Sequence, residues 1–249
     1  MFSKKCIRWA LKAMLVFFLT SIALVTALRW VPVRYTPVML KRDFQFRKSA
    51  DYRTRQDWVS LDQISPELIS AVLTTEDQRF FSHHGFDWRE LRTVWKKHRT
   101  AGKPLRGCST ISQQTAKNVF TFGTPTVARK AVESYWTVLI EMLWGKRRIL
   151  EVYLNVAEMG RGIFGAEAAA GNYYGIPARR LDKKQAASIA VCLPRPLVSN
   201  PDCLDKESRA RLNRLLSDPA YSVDITSEKN ETVLSIISSR RGERFPSSS

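Results

Sequence analysis

An uncharged apolar run over residues 13–28 restricts the folding of this chain more than any other feature of its sequence. The run contains no charged side chain, and Lys12 and Arg29 close it at its two ends. Trp9 and Trp30 lie just outside it, where interfacial aromatic residues flank membrane-spanning helices. A spanning helix needs about 20 residues, and snorkelling of the flanking Lys and Arg side chains extends the span. We therefore predict a transmembrane anchor over residues 10–30.

The charges around this run predict its orientation. Four Lys and Arg precede the run, and no Asp or Glu occurs before residue 43. The positive-inside rule therefore places residues 1–9 in the cytoplasm and the rest of the chain across the membrane. A cleaved signal peptide is the alternative, with Val25-Thr26-Ala27 as a weak cleavage site. The run is long for a signal sequence, however, and arginines continue after it.

The distribution of charge narrows the choice of partner. The net charge is +17, which implies an anionic partner. Eight Lys and Arg flank the anchor, and seven more lie in residues 89–106 against a single Glu. A domain beyond the membrane rarely meets nucleic acid, so we predict anionic membrane lipid or a phosphate-bearing substrate and no nucleic acid. A hydrophobic content of 44% excludes a disordered chain, and four Cys in 249 residues exclude a disulfide-dense miniprotein.

The rest of the chain is predicted to be mainly α-helical. Residues 31–50 are expected to form a juxtamembrane connector, residues 51–200 a folded domain, and residues 201–249 an extension with a polar tail. Ser65-Pro66-Glu67 is typical of a helix start. Further helices are predicted over residues 87–98, 128–144, 146–157, 166–174 and 181–193. No run alternates for long enough to predict a strand.

Two finer predictions concern side chains in these segments. The helix over 128–144 is expected to place Val132, Trp136, Leu139, Ile140 and Leu143 on one side. Cys192 and Cys203 either pair in an oxidising compartment or behave as small apolar residues.

Two carboxylates and three cations are candidates for chemistry. Glu76 follows Ile69 and Val72 at helical spacing near a helix C-terminus, where burial and the helix dipole both raise a carboxyl pKa. A salt-bridged or capping Glu is the alternative. Glu133 lies four residues after Arg129, and taken alone this spacing favours an ion pair on a solvated face. With Lys117 and Lys130 nearby, the set indicates sugar chemistry, because glycosyl transfer and hydrolysis use paired carboxylates.

Four segments resemble, in order and spacing, the motifs of the peptidoglycan glycosyltransferases. They are Glu76-Asp77-Gln78-Arg79-Phe80-Phe81-Ser82-His83-His84-Gly85-Phe86-Asp87, Gly107-Cys108-Ser109-Thr110-Ile111-Ser112-Gln113-Gln114-Thr115-Ala116-Lys117-Asn118, Arg129-Lys130-Ala131-Val132-Glu133, and Lys146-Arg147-Arg148-Ile149-Leu150-Glu151-Val152-Tyr153-Leu154-Asn155. The resemblance covers about residues 50–200. It implies a lysozyme-like α lobe with a smaller, mobile jaw lobe, in a single-pass protein of the bacterial inner membrane with its catalytic domain on the periplasmic face.

The resemblance also implies a reaction and the residues that perform it. The substrate would be lipid II, polymerised with inversion into β-1,4-linked glycan strands with release of undecaprenyl pyrophosphate. Glu76 would be the general base, and Glu133 would act at the donor near its pyrophosphate. The substrate-binding residues implied by the motifs are Asp77, Ser109, Gln113, Gln114, Lys117, Asn118, Arg129 and Lys130. Glu151 and Tyr153-Leu154-Asn155 are interpreted as structural.

Two positions depart from the family pattern, and the sequence does not identify every cofactor and binding partner. Pro125 stands where many relatives carry an Arg, and Cys108 stands where Gly or Ala is usual. No cofactor is required by the sequence, although some relatives bind a divalent cation at the donor diphosphate. The growing glycan chain is an expected partner, and other cell-wall synthesis or division proteins are left open.

Three alternatives concern the activity itself. No Ser-x-x-Lys occurs in the 249 residues and about 50 residues follow Leu197, so no transpeptidase activity is expected. A lytic enzyme of lysozyme-like fold and a catalytically inactive scaffold of wall synthesis are the rival hypotheses. The lytic reading is disfavoured because a hydrolase needs no cations for a diphosphate leaving group.

Overall fold

The computed structural model describes residues 4–102, 109–122 and 127–222, and this part of the chain is mainly α-helical, as predicted. Its helices are α1 (Lys4–Leu28), α2 (Pro37–Phe46), α3 (Pro66–Glu76), α4 (Trp88–Ala101), α5 (Ile111–Phe120), α6 (Val127–Leu143), α7 (Gly145–Val156), α8 (Ala166–Tyr174), α9 (Lys183–Cys192), α10 (Lys206–Leu216) and α11 (Pro219–Ser222). Short 3₁₀ turns lie at Leu61–Gln63, Phe80–Ser82 and Ala178–Arg180. The strands are β1 (Arg55–Gln56), β2 (Glu158–Gly160) and β3 (Ile163–Phe164).

Helix α1 is long and apolar enough to cross a membrane. Its C-terminal half packs against α6, where Ser21 and Val25 are buried. Nε1 of Trp144 donates a hydrogen bond to the Val25 carbonyl at 2.7 Å, and Nη2 of Arg148 donates to the Leu28 carbonyl at 2.8 Å. The last carbonyls of a helix have no partner within it. These two bonds therefore join the end of α1 to the folded domain.

Helix α3 begins where the sequence predicted. The hydroxyl of Ser65 accepts a hydrogen bond from the Glu67 amide at 3.2 Å, which satisfies one free donor of the first turn. Leu68, Ile69 and Val72 are fully buried, and α3 packs against α9. This packing holds the C-terminal end of α3 in a fixed position.

Helix α6 forms where a helix was predicted, and its buried residues include a carboxylate. Trp136 and Ile140 are buried as expected, whereas Val132 is 46% exposed. Glu133 and Thr137 are the buried residues instead. The prediction grouped Val132 with the apolar residues on one side of the helix and did not show that this end of the helix is exposed. The apolar spacing also could not show that Glu133 is buried, because that carboxylate is compensated by its ion pair.

Two elements lie in segments to which the sequence assigned none. The polar segment over residues 109–119, which contains Gln113 and Gln114, forms α5. Thr110 caps it, and its hydroxyl accepts from the Gln113 amide at 3.1 Å. The predicted connector contains α2, which packs against α5. Helix α5 also packs against α6 and α7, so it lies at the centre of the helical domain.

A small sheet joins two distant parts of the chain. β3 pairs in parallel with β1, with Arg55 opposite Ile163, and antiparallel with β2. Each strand has two or three residues. The sequence analysis identified none of these strands, because alternation with a period of two is not recognisable over so short a run.

The C-terminal region and the basic helix complete the described part. α10 packs against α9 and α3. Cys192 is buried and Cys203 is exposed, and both are free.

Helix α4 forms where the sequence predicted a helix over residues 87–98, and none of its described side chains is buried. Cys108, Pro125 and the polar tail from 223 lie outside the described residues. The jaw lobe stays a prediction.

Candidate active site

Glu76 is the last residue of α3, and its carboxylate lies against α5. Oε2 of Glu76 accepts a hydrogen bond of 2.8 Å from Nε2 of Gln114. Burial raises the pKa of Glu76, while the hydrogen bond from Gln114 and the positive charges of Lys117 and Arg211 oppose that rise. Arg79, a nearby cation that could have formed the alternative salt bridge with Glu76, pairs with Asp87 at 3.0 Å instead.

The amide of Gln114 is oriented by two further contacts. The hydroxyl of Tyr153 donates to Oε1 of Gln114 at 3.3 Å, and Nε2 of Gln114 also donates to the Ser109 carbonyl at 3.3 Å. Tyr153 lies on α7 and is buried. Because Tyr153 supplies a donor to Oε1, the amide directs its N–H groups towards Glu76. This contact agrees with the structural role interpreted for Tyr153.

Asp77 and Gln113 hold α5 in place. The Asp77 carboxylate accepts from the Ile111 amide at 3.0 Å and lies 3.0 Å from Nε2 of His83. Oε1 of Gln113 accepts from the Thr110 amide at 3.1 Å, which completes a capping box. Asp77 thus places a negative charge at the N-terminus of α5, where the helix dipole favours it.

A second carboxylate lies on α6 among cations. Glu133 is 2% exposed, and its Oε1 lies 2.9 Å from Nη1 of Arg129. Nζ of Lys130 lies 3.8 Å from Oε2 of Glu133 and 3.4 Å from Oγ of Ser109. The expected pairing of Glu133 with Arg129 is confirmed. The predicted position on a solvated face was wrong, because Glu133 is buried in the domain.

A cationic cavity of about 240 Å³ adjoins the Glu76–Gln114 contact. Its lining includes Gln114, Lys117, Asn118, Arg129 and Tyr153. Burial lowers the pKa of the Lys117 ammonium, and the charge of Glu133 opposes that change. The cavity therefore combines positive charge with restricted access of water.

The same cavity contains residues that the sequence reasoning missed. Lys41 and Arg42 reach it from α2, and Glu158 reaches it from β2. Nε of Arg42 lies 2.9 Å from Oε2 of Glu158. Burial raises the pKa of Glu158 and its pairing with Arg42 opposes the rise. Lys41 and Arg42 were counted only among the charges near the anchor, and no local signal placed them here.

Glu76 itself lines two neighbouring cavities. One, of about 270 Å³, extends past Asp77, Ser109 and Thr110. The other, of about 230 Å³, is bounded by Arg211 and Arg214 of α10. Glu76 therefore lies between two cavities, one of which is bounded by two arginines. Within the residues that the structure describes, no three His, Cys, Asp or Glu side chains converge as metal ligands.

Comparison with known proteins identifies the family. The transglycosylase family model matches residues 43–219. Biosynthetic peptidoglycan transglycosylases are similar over much of the chain. The protein from Bacteroides thetaiotaomicron is 46% identical over 198 residues, covering 79% of each chain. The protein from Azoarcus sp. is 52% identical over 157 residues, covering 63% of this chain and 68% of its own. The protein from Pseudomonas putida is 40% identical over 230 residues, covering 90% of this chain and 97% of its own. The resemblance drawn from the four motifs is thereby confirmed, and the chain belongs to the transglycosylase family.

Proposed function

We propose that this chain is a peptidoglycan glycosyltransferase that polymerises lipid II into β-1,4-linked glycan strands. The transfer inverts the anomeric centre and releases undecaprenyl pyrophosphate. The observation that carries the proposal is a carboxylate of raised pKa, Glu76, held by Gln114 beside a cavity lined by Lys117 and Arg129. Such a transfer needs a base on the acceptor side of the reacting carbon. On the other side it needs cations that stabilise the leaving pyrophosphate.

Glu76 acts as the general base. It removes the proton from the 4-hydroxyl of the acceptor GlcNAc as that oxygen attacks the anomeric carbon of the donor MurNAc. A general base works best with a pKa near the operating pH, and burial moves Glu76 in that direction. Gln114 holds the carboxylate through Oε2 and leaves Oε1 to receive the proton.

The cations stabilise the departing pyrophosphate. Lys117 and Arg129 line the cavity in which negative charge develops as the glycosidic bond breaks. The buried carboxylate of Glu133 fixes the guanidinium of Arg129 at 2.9 Å. Glu133 thus acts at the donor by positioning a cation. Lys130 and Ser109 extend the polar surface beside it.

The remaining predicted substrate-binding residues divide into two groups. Gln114 and Asn118 line the cationic cavity and are placed to contact the donor. Asp77 lines the neighbouring cavity, but its carboxylate already accepts from the Ile111 amide, and Gln113 caps α5. We assign Asp77 and Gln113 to holding α5 and its side chains in register with the substrate. No group in this scheme requires a metal ion, and a divalent cation at the diphosphate is left open.

The membrane placement follows the same proposal. α1 anchors the protein in the bacterial inner membrane, with the N-terminus in the cytoplasm and the catalytic domain on the periplasmic face, where lipid II is polymerised. Helix α4 exposes Trp88 and Trp95 together with its Lys and Arg side chains. This composition favours contact with anionic lipid headgroups or with the substrate diphosphate. Transpeptidase activity is not proposed, because no Ser-x-x-Lys occurs in the sequence.

The test is polymerisation of lipid II by the purified full-length protein. We expect glycan strands that are not formed in the presence of moenomycin. Release of sugars from finished sacculi, without polymer from lipid II, would establish the lytic alternative. Glu76→Gln should abolish polymerisation while the folded helix content is unchanged. Glu67→Gln, the same substitution at the opposite end of α3, is the matched control and should keep activity. Near-normal turnover by Glu76→Gln would refute the role of Glu76.

A further inference from the structure

A cavity of about 370 Å³ lies where the anchor meets the folded domain. Arg29 and Trp30 from the end of the anchor form one wall, and Trp58, Arg147 and Arg148 of the domain form another. The cavity shares no lining residue with the three cavities around Glu76. It is therefore a separate space that the glycosyl transfer does not use.

One arginine of this cavity holds its walls together. Nη1 of Arg148 lies 2.6 Å from Oε2 of Glu151, and its guanidinium carbon lies 5.0 Å from the centre of the Trp58 ring. The same guanidinium donates to the Leu28 carbonyl. Its charge is compensated and its position is fixed by the fold.

The other two arginines are placed to meet a ligand. Arg147 pairs with Asp62 at 2.6 Å, but the Asp62 side chain is 41% exposed, so water already competes for this pair. Arg29 is exposed and lies over the ring of Trp30, with its guanidinium carbon 5.5 Å from the ring centre. Among the described residues that line the cavity, together with Asp62, the three arginines exceed the carboxylates by one positive charge. That excess matches the single negative charge of a phosphodiester.

The position of the cavity selects the source of that phosphate. The apolar run of α1 ends at Leu28, so Arg29 and Trp30 lie at the level of the lipid headgroups when α1 spans a membrane. Basic pockets beside membrane helices bind anionic headgroups, and Trp rings favour the same interfacial layer. We propose that this cavity binds the headgroup phosphate of an anionic phospholipid, with Arg29 and Arg147 as its ligands. The bound lipid would contact both the anchor and the catalytic domain.

The experiment measures lipid binding without any glycan substrate. Full-length protein in a neutral detergent is titrated with phosphatidylglycerol or phosphatidylcholine, and retained lipid is counted by native mass spectrometry. We expect at least about tenfold tighter retention of phosphatidylglycerol. Equal retention of the two lipids would overturn the proposal. Displacement of phosphatidylglycerol by an equal concentration of glycerol 1-phosphate would also overturn it, because the site would then bind free phosphate.

Variants locate the binding. Arg29→Gln and Arg147→Gln should each weaken retention about fivefold, and the double variant about 25-fold. Arg179→Gln/Arg180→Gln removes two exposed arginines elsewhere and should retain lipid like the unmodified protein. Arg29 is exposed, so its substitution is not expected to disturb folding. Unchanged retention by Arg29→Gln and by the double variant would contradict the assignment. Because lipid II is absent, the result does not depend on whether the protein polymerises glycan.

Discussion

Nε2 of Gln114 donates a hydrogen bond of 2.8 Å to Oε2 of Glu76, from a helix that begins 35 residues after α3 ends. The contact joins the first and second sequence motifs at one carboxylate. Tyr153 belongs to the fourth motif, and its hydroxyl donates to the oxygen of the same Gln114 amide. The fourth motif is therefore connected to Glu76 through Gln114. The geometry of the proposed base thus depends on side chains from three helices, α3, α5 and α7.

Gln114→Leu should move the acid limb of the pH–rate profile to higher pH. The hydrogen bond from Gln114 favours ionised Glu76 and lowers its pKa. Removing this hydrogen bond raises the pKa of Glu76 further. Because Glu76 must be deprotonated to act as a base, acidification then abolishes activity at a higher pH than in the unmodified protein. We expect a displacement of about 1 pH unit. Gln78→Leu is the control, because that amide donates to the Thr74 carbonyl. An acid limb that stays in place for Gln114→Leu would contradict this role.

Arg129→Met should destabilise the protein, and removing its partner should restore stability. The single variant removes the 2.9 Å partner of the 2% exposed Glu133 carboxylate and leaves Lys130 at 3.8 Å and the charge of Lys117 near it. The free energy of unfolding should fall by about 2 kcal/mol. Arg129→Met/Glu133→Gln removes both charges and should recover most of that loss in urea unfolding. Polymerisation should remain defective in both variants, so recovery of activity along with stability would show that the pair is only structural.

Trp144→Phe should weaken the attachment of α1 to the domain. The substitution keeps an aromatic ring but removes the donor to the Val25 carbonyl. The free energy of unfolding of the full-length protein in detergent should fall by about 1 kcal/mol. Trp95→Phe on α4 is the matched control, because Trp95 is 53% exposed. Equal stabilities of the two variants would show that this bond does not contribute.

Gly165→Ala should be far more harmful than Gly102→Ala, although both glycines have positive φ. At Gly165, with φ of +85°, an added Cβ would lie 2.6 Å from the Asn155 carbonyl oxygen. At Gly102, with φ of +59°, none of the described residues would come within 4 Å of an added Cβ. Backbone strain alone costs about 1 kcal/mol, so urea unfolding should show about that loss for Gly102→Ala and at least twice as much for Gly165→Ala. Similar losses would mean that the chain around Asn155 relaxes.

Capping residues and helical spacing in the sequence predicted helix boundaries where the buried residues recur along a single helix. The cap at Ser65, the end of α3 at Glu76 and the bounds of α8 followed from local chemistry and 3.6-residue spacing. The ion pair of Arg129 with Glu133 followed from its i,i+4 spacing, because one helical turn is enough to bring those side chains together. The same spacing could not show that Glu133 is buried, since burial depends on α5 and α7, which come from other parts of the chain.

The sequence by itself determined the apolar anchor, the order of the main helices, the family motifs and the identity of Glu76 as the candidate base. Only the tertiary structure decided which side chains surround that base. Arg42 and Glu158 are 116 residues apart and meet at 2.9 Å beside Lys117, and Arg148 reaches the end of α1 across 120 residues. Local periodicity reports which face of a segment is buried. It does not report which distant segment covers that face, because that partner is selected by packing and charge compensation over the whole domain.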